Sequence, residues 1–147
     1  MRLWHIDLLP YLPDAQFKGQ LRELVLIMRT WRDKGRTNHL LINFVMDYPK
    51  ADLVEYFNEY DRIYADRYDR MISRKIVDEF SDFYDGSTPS KPGPYPGHMD
   101  LGYLDVCYFN LFEKHYYGVG KNRIGDGEWD IFERGSLDAR ARLECSL

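Results

Sequence analysis

The residues of this chain that are best suited to chemistry lie at its N-terminal end. Met1 contributes an α-amine, and Arg2 follows it directly. An α-amine has a reference pKa of about 7.7–8.0, against about 10.4 for lysine, so a useful fraction of it is neutral and nucleophilic at neutral pH. Such an amine can form a Schiff base with a carbonyl group or a sugar C1′. The sequence therefore offers a nucleophile, provided that the amine is free and folded into a site.

Polar residues on the first predicted helix can complete a site around such an amine. Helical spacing places Gln16, Gly19 and Glu23 on one side, with Arg22 adjacent. Glycine in a helix interior costs up to about 1 kcal/mol relative to alanine, which indicates a place where something approaches the backbone closely. A carboxylate flanked by arginine would stay ionised and could stabilise a cationic sugar or transfer a proton. The same spacing also fits an ordinary amphipathic helix with a surface Arg–Glu pair.

Length and composition predict a single globular domain covering residues 1–147. The chain is 44% hydrophobic and 30% charged, and it is long enough to bury a sizeable core. Asp7 and Pro10 interrupt the apolar patch near the N-terminus, and no apolar run reaches the roughly 18–20 residues that span a bilayer. Cys107 and Cys145 are too few for a disulfide framework, and no Cys/His spacing is typical of a zinc site. We therefore expect an intracellular monomer with no membrane partner and no metal.

The charge of the chain is unevenly distributed. The net charge of −4 at pH 7 argues against a nucleic-acid partner for the chain as a whole, because phosphate binding depends on Lys and Arg. Residues 1–40 nevertheless carry +3, whereas residues 41–100 carry −5 and residues 101–147 carry −2. Local sign matters more than the sum when a ligand meets one face. Only the N-terminal segment is predicted to face an anion.

Hydrophobic periodicity predicts an all-α protein, arranged as a compact helical bundle. The first helix is expected from Asp14 to about Lys34, with Gly35 as its stop, and a short apolar segment follows at 39–46. The third segment is a helix after Pro49, whose regular apolar face we expect to be buried. The members of that face are Leu53, Phe57, Tyr60, Tyr64, Tyr68 and Met71. Helical character is expected to continue through residues 76–84.

The second half of the chain begins with a predicted long loop at residues 86–97, which hold four prolines and three glycines. A helix is predicted to resume at 101–117. Residues 118–147 are expected to form a less regular C-terminal extension with a short final helix at 136–145. The acidic run at 126–130 is interpreted as a solvated turn rather than a cation site.

The N-terminal motifs resemble the pyrimidine dimer DNA glycosylase family, the phage-type endonucleases that excise cyclobutane dimers. The resemblance is specific over residues 1–5 (MRLWH), 7–13 (DLLPYLP) and 19–23 (GQLRE). Weaker similarity, in register, covers residues 39–45, 96–98 and 115–118. The family therefore implies a helical fold and a DNA repair activity.

The resemblance implies a glycosylase with abasic-site lyase activity on double-stranded DNA that carries a damaged or modified pyrimidine, such as a dimer. In the family, the N-terminal α-amine attacks C1′ and expels the base, and β-elimination from the Schiff base then nicks the strand without a cofactor. Because Arg2 opposes removal of the initiator methionine, Met1 would supply that amine. Glu23 corresponds to the catalytic glutamate of the family.

The family match also implies a set of DNA contacts. The residues expected to make them are Arg2, Arg22, Gln16, His39, Tyr116 and Tyr117. His39 equally fits a hydrogen-bonded core histidine. The two tyrosines fit either ordinary packing or stacking on bases.

Two other functions stay open at this level. One is a catalytically inactive DNA- or protein-binding module of the same fold, which the acidic middle of the chain favours. The other is a glycosylase for a different modified base, because one sequence does not reveal a base pocket.

Overall fold

The computed structural model describes residues 2–147, and most of them are helical. The α-helices are α1 (Asp14–Lys34), α2 (Lys50–Tyr68), α3 (Arg74–Phe83), α4 (Leu101–Tyr116) and α5 (Asp126–Cys145). Short 3₁₀ helices occur at Ile6–Tyr11, Asn43–Asp47 and Gly120–Asn122. No strand occurs among residues 2–147, which confirms the all-α prediction.

Contacts between Cα atoms divide the described chain into two compact units. Unit 1 comprises residues 2–3 and Gly19–His98, and unit 2 comprises Trp4–Lys18 and Met99–Leu147. Helix α1 therefore contributes its first turns to unit 2 and the rest to unit 1. The single domain expected from the sequence stays a prediction.

Unit 1 is built on the apolar faces of α1 and α2. On α1, Leu24 and Met28 are fully buried, and Gly35 ends the helix with φ +72° while its N–H bonds to the Trp31 carbonyl at 2.8 Å. Phe57 of α2 stacks on Phe80 of α3 with ring centroids 3.9 Å apart. The predicted bounds of α1 are thus confirmed. The helix predicted at 76–84 is a separate element, α3.

The face predicted for α2 is wrong at its C-terminal end. Tyr60 is fully buried, but Tyr64 and Tyr68 are only half-buried and Met71 is 79% exposed. The helix ends at Tyr68, and the next residue, Asp69, adopts the left-handed conformation (φ 51°), so Met71 lies beyond the helix. The helical spacing of apolar residues in the sequence thus continues past the end of the helix itself.

The proline-rich segment at 86–97 lies outside any helix, as predicted, and a buried carboxylate holds it. Asp52, in the first turn of α2, is fully buried and accepts the backbone N–H groups of Ser90 (2.8 Å) and Tyr95 (3.1 Å). Tyr95 has φ +56° and is also fully buried. The loop is therefore fixed by side-chain hydrogen bonds rather than by secondary structure.

Unit 2 is built from α4, α5 and the 3₁₀ helix Ile6–Tyr11. The expectation of a less regular extension after residue 118 is wrong over residues 126–145, because α5 begins at Asp126. The acidic run at 126–130 forms the first turns of this helix rather than a solvated turn. Acidic residues favour a helix N-terminus, and Trp129 of the run is buried in the core. Within residues 2–147, no helix combines the length and apolar character that crossing a bilayer requires.

Candidate active site

The N-terminal segment of the described chain is fixed against α1 in unit 1. Leu3 is fully buried, and the backbone N–H of Arg2 donates to Oε2 of Glu23 at 3.0 Å. Glu23 itself is half-buried. The carboxylate that the sequence singled out is therefore held at the start of the chain, although 21 residues separate the two groups.

A buried glutamine connects the same two residues. Gln20 is fully buried, and its Nε2 donates to the Arg2 carbonyl at 3.0 Å and lies 3.5 Å from Oε2 of Glu23. Its Oε1 accepts the hydroxyl of Tyr56, a fully buried residue of α2, at 3.1 Å. Two side chains of α1 thus bind the backbone of the N-terminal segment, and a side chain of α2 binds one of the two.

Arg22 lies on the exposed side of α1, next to Gly19. It makes no hydrogen bond or ion pair with any residue in the range 2–147, so the surface Arg–Glu pair considered from the sequence is not formed. A Cβ atom placed on Gly19 would meet only the guanidinium Nη2 of Arg22, at 3.5 Å. No packing in the fold requires glycine at this position, and the backbone there is open to approach.

The other arginines near the C-terminal end of α1 are neutralised. Arg29 donates to both oxygens of Glu79 (2.8 and 2.6 Å), and Arg32 also reaches Glu79 at 3.3 Å. The hydrogen bond from Arg29 is the main cause that lowers the pKa of Glu79 to about 2. Arg32 also pairs with Asp33. These guanidinium groups are thus already occupied by carboxylates, whereas that of Arg22 is available to a ligand.

The remaining predicted site residues are not part of this cluster. Gln16 lies in the unit 2 portion of α1, and its buried Oε1 has no hydrogen-bond partner among the described residues. His39 is exposed and its Nδ1 accepts the N–H of Leu41 at 3.3 Å, so the alternative of a core histidine is wrong. Tyr116 and Tyr117 belong to unit 2 and are 54% and 77% exposed. Met1 lies outside the described residues.

Sequence reasoning did not assign a role to Gln20 or Tyr56. Gln20 stands three residues before Glu23, so the spacing on α1 could have suggested its proximity to the carboxylate. Tyr56 carries no comparable signal, because it lies 36 residues away from Gln20. Among residues 2–147, no group of three or more His, Cys, Asp and Glu side chains is arranged to hold a metal ion.

Comparison with known protein families gives one result. Residues 1–72 match the family described as pyrimidine dimer DNA glycosylase. This range contains the N-terminal segment, α1 and α2, and hence every member of the cluster around Glu23. The match confirms the family resemblance for this part of the chain. No curated protein and no solved structure matches the chain significantly.

Proposed function

We propose, on the premise that residues 1–72 carry the pattern of the pyrimidine dimer DNA glycosylase family, that the chain is a DNA glycosylase with abasic-site lyase activity. Its substrate would be double-stranded DNA with a damaged or modified pyrimidine, and a pyrimidine dimer is the member of that class which the family favours. The enzyme would act as a monomer inside the cell and would need no cofactor.

The observation that supports this proposal best is the hydrogen bond from the Arg2 backbone N–H to Glu23 at 3.0 Å. The backbone nitrogen of Arg2 is linked by three covalent bonds to the α-nitrogen of Met1. A carboxylate that holds this amide is therefore in the neighbourhood where an N-terminal nucleophile would act. We therefore propose the α-amine of Met1 and the carboxylate of Glu23 as the two groups that carry the chemistry.

The proposed reaction begins when the α-amine of Met1 attacks C1′ of the target nucleotide. The N–C1′ bond forms, the glycosidic bond breaks, and the departing base takes up a proton. The sugar ring opens as O4′ is protonated, which leaves a Schiff base. Loss of a C2′ proton then expels the 3′ phosphate. Glu23 would stabilise the cationic intermediates and carry protons between these steps.

The exposed side of α1 would bind the DNA strand near the reacting sugar. Arg22 has no carboxylate partner among the described residues and can contact a phosphate, while Gly19 leaves the adjacent backbone open. The Arg2 side chain, Gln16 and His39 are proposed as further DNA contacts. Tyr116 and Tyr117 are exposed enough to stack on bases, and they are proposed in that role.

Borohydride trapping on duplex DNA tests this mechanism. The wild-type chain should form a covalent adduct with DNA that holds an abasic site or a pyrimidine dimer, and peptide mapping should locate the adduct at the N-terminal amine. Glu23→Gln should lower the single-turnover rate by about 10²–10⁴-fold, because general acid–base groups contribute on that order. A wild-type protein that gives no adduct, or one at an internal lysine, would overturn the mechanism.

A matched control is available in unit 2. Glu128 also accepts a backbone N–H through its carboxylate, that of Asp14 at 2.7 Å. Glu128→Gln removes the same kind of contact without touching Glu23 and should leave the rate of adduct formation unchanged. An equal loss in both variants would show that the effect is structural. Substrates with other modified pyrimidines, run in the same assay, identify the base that is released.

A further inference from the structure

The geometry points to Gln20 and Tyr56 as positioning residues for the proposed reaction. We infer that Tyr56 fixes the amide of Gln20, which in turn holds the backbone of residue 2 and the Glu23 carboxylate in one arrangement. This inference rests on the proposed function, but it concerns residues to which neither the family match nor the sequence assigns a role.

The direction of the Gln20 amide follows from its partners. The Tyr56 hydroxyl donates to Oε1 at 3.1 Å, so the Nε2 end faces the two acceptors, the Arg2 carbonyl (3.0 Å) and Glu23 Oε2 (3.5 Å). If the amide turned over, its oxygen would face those two oxygens, which is unfavourable whichever way the Tyr56 hydroxyl turns. The Arg2 carbonyl and the Glu23 carboxylate therefore select the orientation of the amide, and the Tyr56 hydroxyl anchors its oxygen in that orientation.

Burial makes this arrangement rigid. Gln20 and Tyr56 are both 0% exposed, and buried polar groups are costly to leave without partners. Solvent cannot substitute for the lost bonds without entering the core of unit 1. The carbonyl and the N–H of Arg2 are bound by Gln20 and Glu23 respectively, so both sides of this residue's backbone are fixed. An N-terminal amine attached to that residue would gain a defined starting point for its attack on C1′.

Displacement of the nucleophile lowers the rate of the chemical step more than it lowers the affinity for DNA. Displacement of reacting groups by about 1 Å can cost on the order of 10²-fold in rate. The DNA contacts proposed for Arg22 lie on the exposed side of α1 and do not involve Gln20. Changes at Gln20 or Tyr56 should therefore slow the chemical step by a larger factor than they weaken DNA binding, because of the proposed contacts only that of Arg2 is attached to the backbone that Gln20 holds.

The test measures single-turnover adduct formation on abasic-site DNA with the full chain, beside the dissociation constant from fluorescence anisotropy. Gln20→Met, which keeps the side-chain volume, and Tyr56→Phe should each slow adduct formation on the order of 10- to 100-fold. The double variant should be no slower than Gln20→Met, because Tyr56 acts through Gln20. Rates equal to wild type, additive losses, or a weaker dissociation constant with unchanged chemistry would each overturn the inference.

Tyr95→Phe is the matched control. Tyr95 is a fully buried tyrosine of unit 1 whose hydroxyl has no hydrogen-bond partner among the described residues, so removing this hydroxyl breaks no hydrogen bond. Its rate of adduct formation should equal that of wild type. A comparable loss in this variant would show that any buried tyrosine hydroxyl matters, and the specific role of Tyr56 would fall.

A second measurement separates this inference from the proposed function. Hydrogen exchange of the Arg2 amide, followed by NMR without DNA, reports how firmly that N–H is held by Glu23. Gln20→Met and Tyr56→Phe should lose protection there, and Tyr95→Phe should not. A wild type that forms no adduct would refute the proposed chemistry alone. Unchanged protection in the Gln20 and Tyr56 variants would refute the positioning role.

Discussion

The interactions inside unit 1 differ in kind from those inside unit 2. In unit 1, fully buried polar side chains organise chain segments that lack secondary structure: Gln20 binds the backbone of Arg2, and Asp52 binds the loop that contains Ser90 and Tyr95. In unit 2, aromatic rings gather around Trp129, which stacks on His115 with centroids 4.9 Å apart. Unit 1 thus holds two irregular segments by hydrogen bonds from buried side chains, whereas unit 2 centres on one indole, beside a buried hydrogen bond of 2.8 Å between His115 Nδ1 and the Ile124 carbonyl.

The hydrogen-bonded cluster around Gln20 in unit 1 lies within the range that matches the family. Residues 1–72 match the family, and within unit 1 they include the buried glutamine, the tyrosine hydroxyl that binds it and the carboxylate of Glu23. Directed hydrogen bonds set positions to within fractions of an ångström, which chemistry requires. Apolar packing supplies stability without choosing the direction of any polar group. We therefore expect variants of Gln20, Tyr56 and Glu23 in unit 1 to affect rate, and variants of the aromatic cluster around Trp129 in unit 2 to affect stability.

The largest effect on stability is expected from Trp129→Ala. The indole is 5% exposed and lies 5.7 Å from the ring of Phe132 and 5.6 Å from that of Tyr108, measured between centroids. Its removal leaves a large cavity, which typically costs about 3–5 kcal/mol of unfolding free energy. Urea denaturation would measure this loss. The control Ile131→Ala, on the same helix but 60% exposed, should change stability by less than about 0.5 kcal/mol.

A smaller loss is expected when the buried carboxylate of unit 1 is altered. Asp52→Asn replaces one of two acceptor oxygens with a donor, which then faces the N–H of Ser90 or Tyr95. The unsatisfied group should cost roughly 1–3 kcal/mol in urea denaturation. Asp66→Asn, at an exposed carboxylate 3.4 Å from Arg62, should cost under about 1 kcal/mol. Equal effects of the two substitutions would remove the distinction that we draw between directed buried bonds and surface pairs.

The smallest effect that we expect is a pH dependence of the unfolding free energy, caused by His5 in unit 2. Burial lowers the pKa of His5 below 6.5, although the Asp7 and Asp100 carboxylates oppose the shift. The unfolded chain then binds more protons just below pH 6.5, so stability present above that pH is lost as the pH falls.

His5→Asn tests this dependence. The ring Nδ1 of His5 accepts the N–H of Asp7 at 3.1 Å, and an asparagine oxygen can replace that acceptor. Unfolding free energies measured from pH 7 to pH 5.5 should fall less steeply in the variant than in wild type. Equal slopes would assign the pH dependence to other groups.

Local patterns predicted those parts of the fold that local interactions decide. Helix α1 begins at Asp14 and ends before Gly35 because its capping signals and apolar spacing agree. The loop at 86–97 was predicted because prolines lack the N–H that a helix needs. The start of α5 was missed because its acidic first turn resembles a polar loop, and the burial of Trp129 becomes evident only in the folded chain.

The sequence by itself determined the helical class, the bounds of α1, and the similarity of residues 1–72 to a known family. Those features are properties of neighbouring residues, and they can be recognised without knowing how the chain folds. Only the tertiary structure decided that Glu23 binds the backbone of Arg2 and that Tyr56 binds Gln20. Contacts between residues 21 and 36 positions apart depend on how α1 packs with α2 and with the N-terminal segment, and no local pattern encodes that packing.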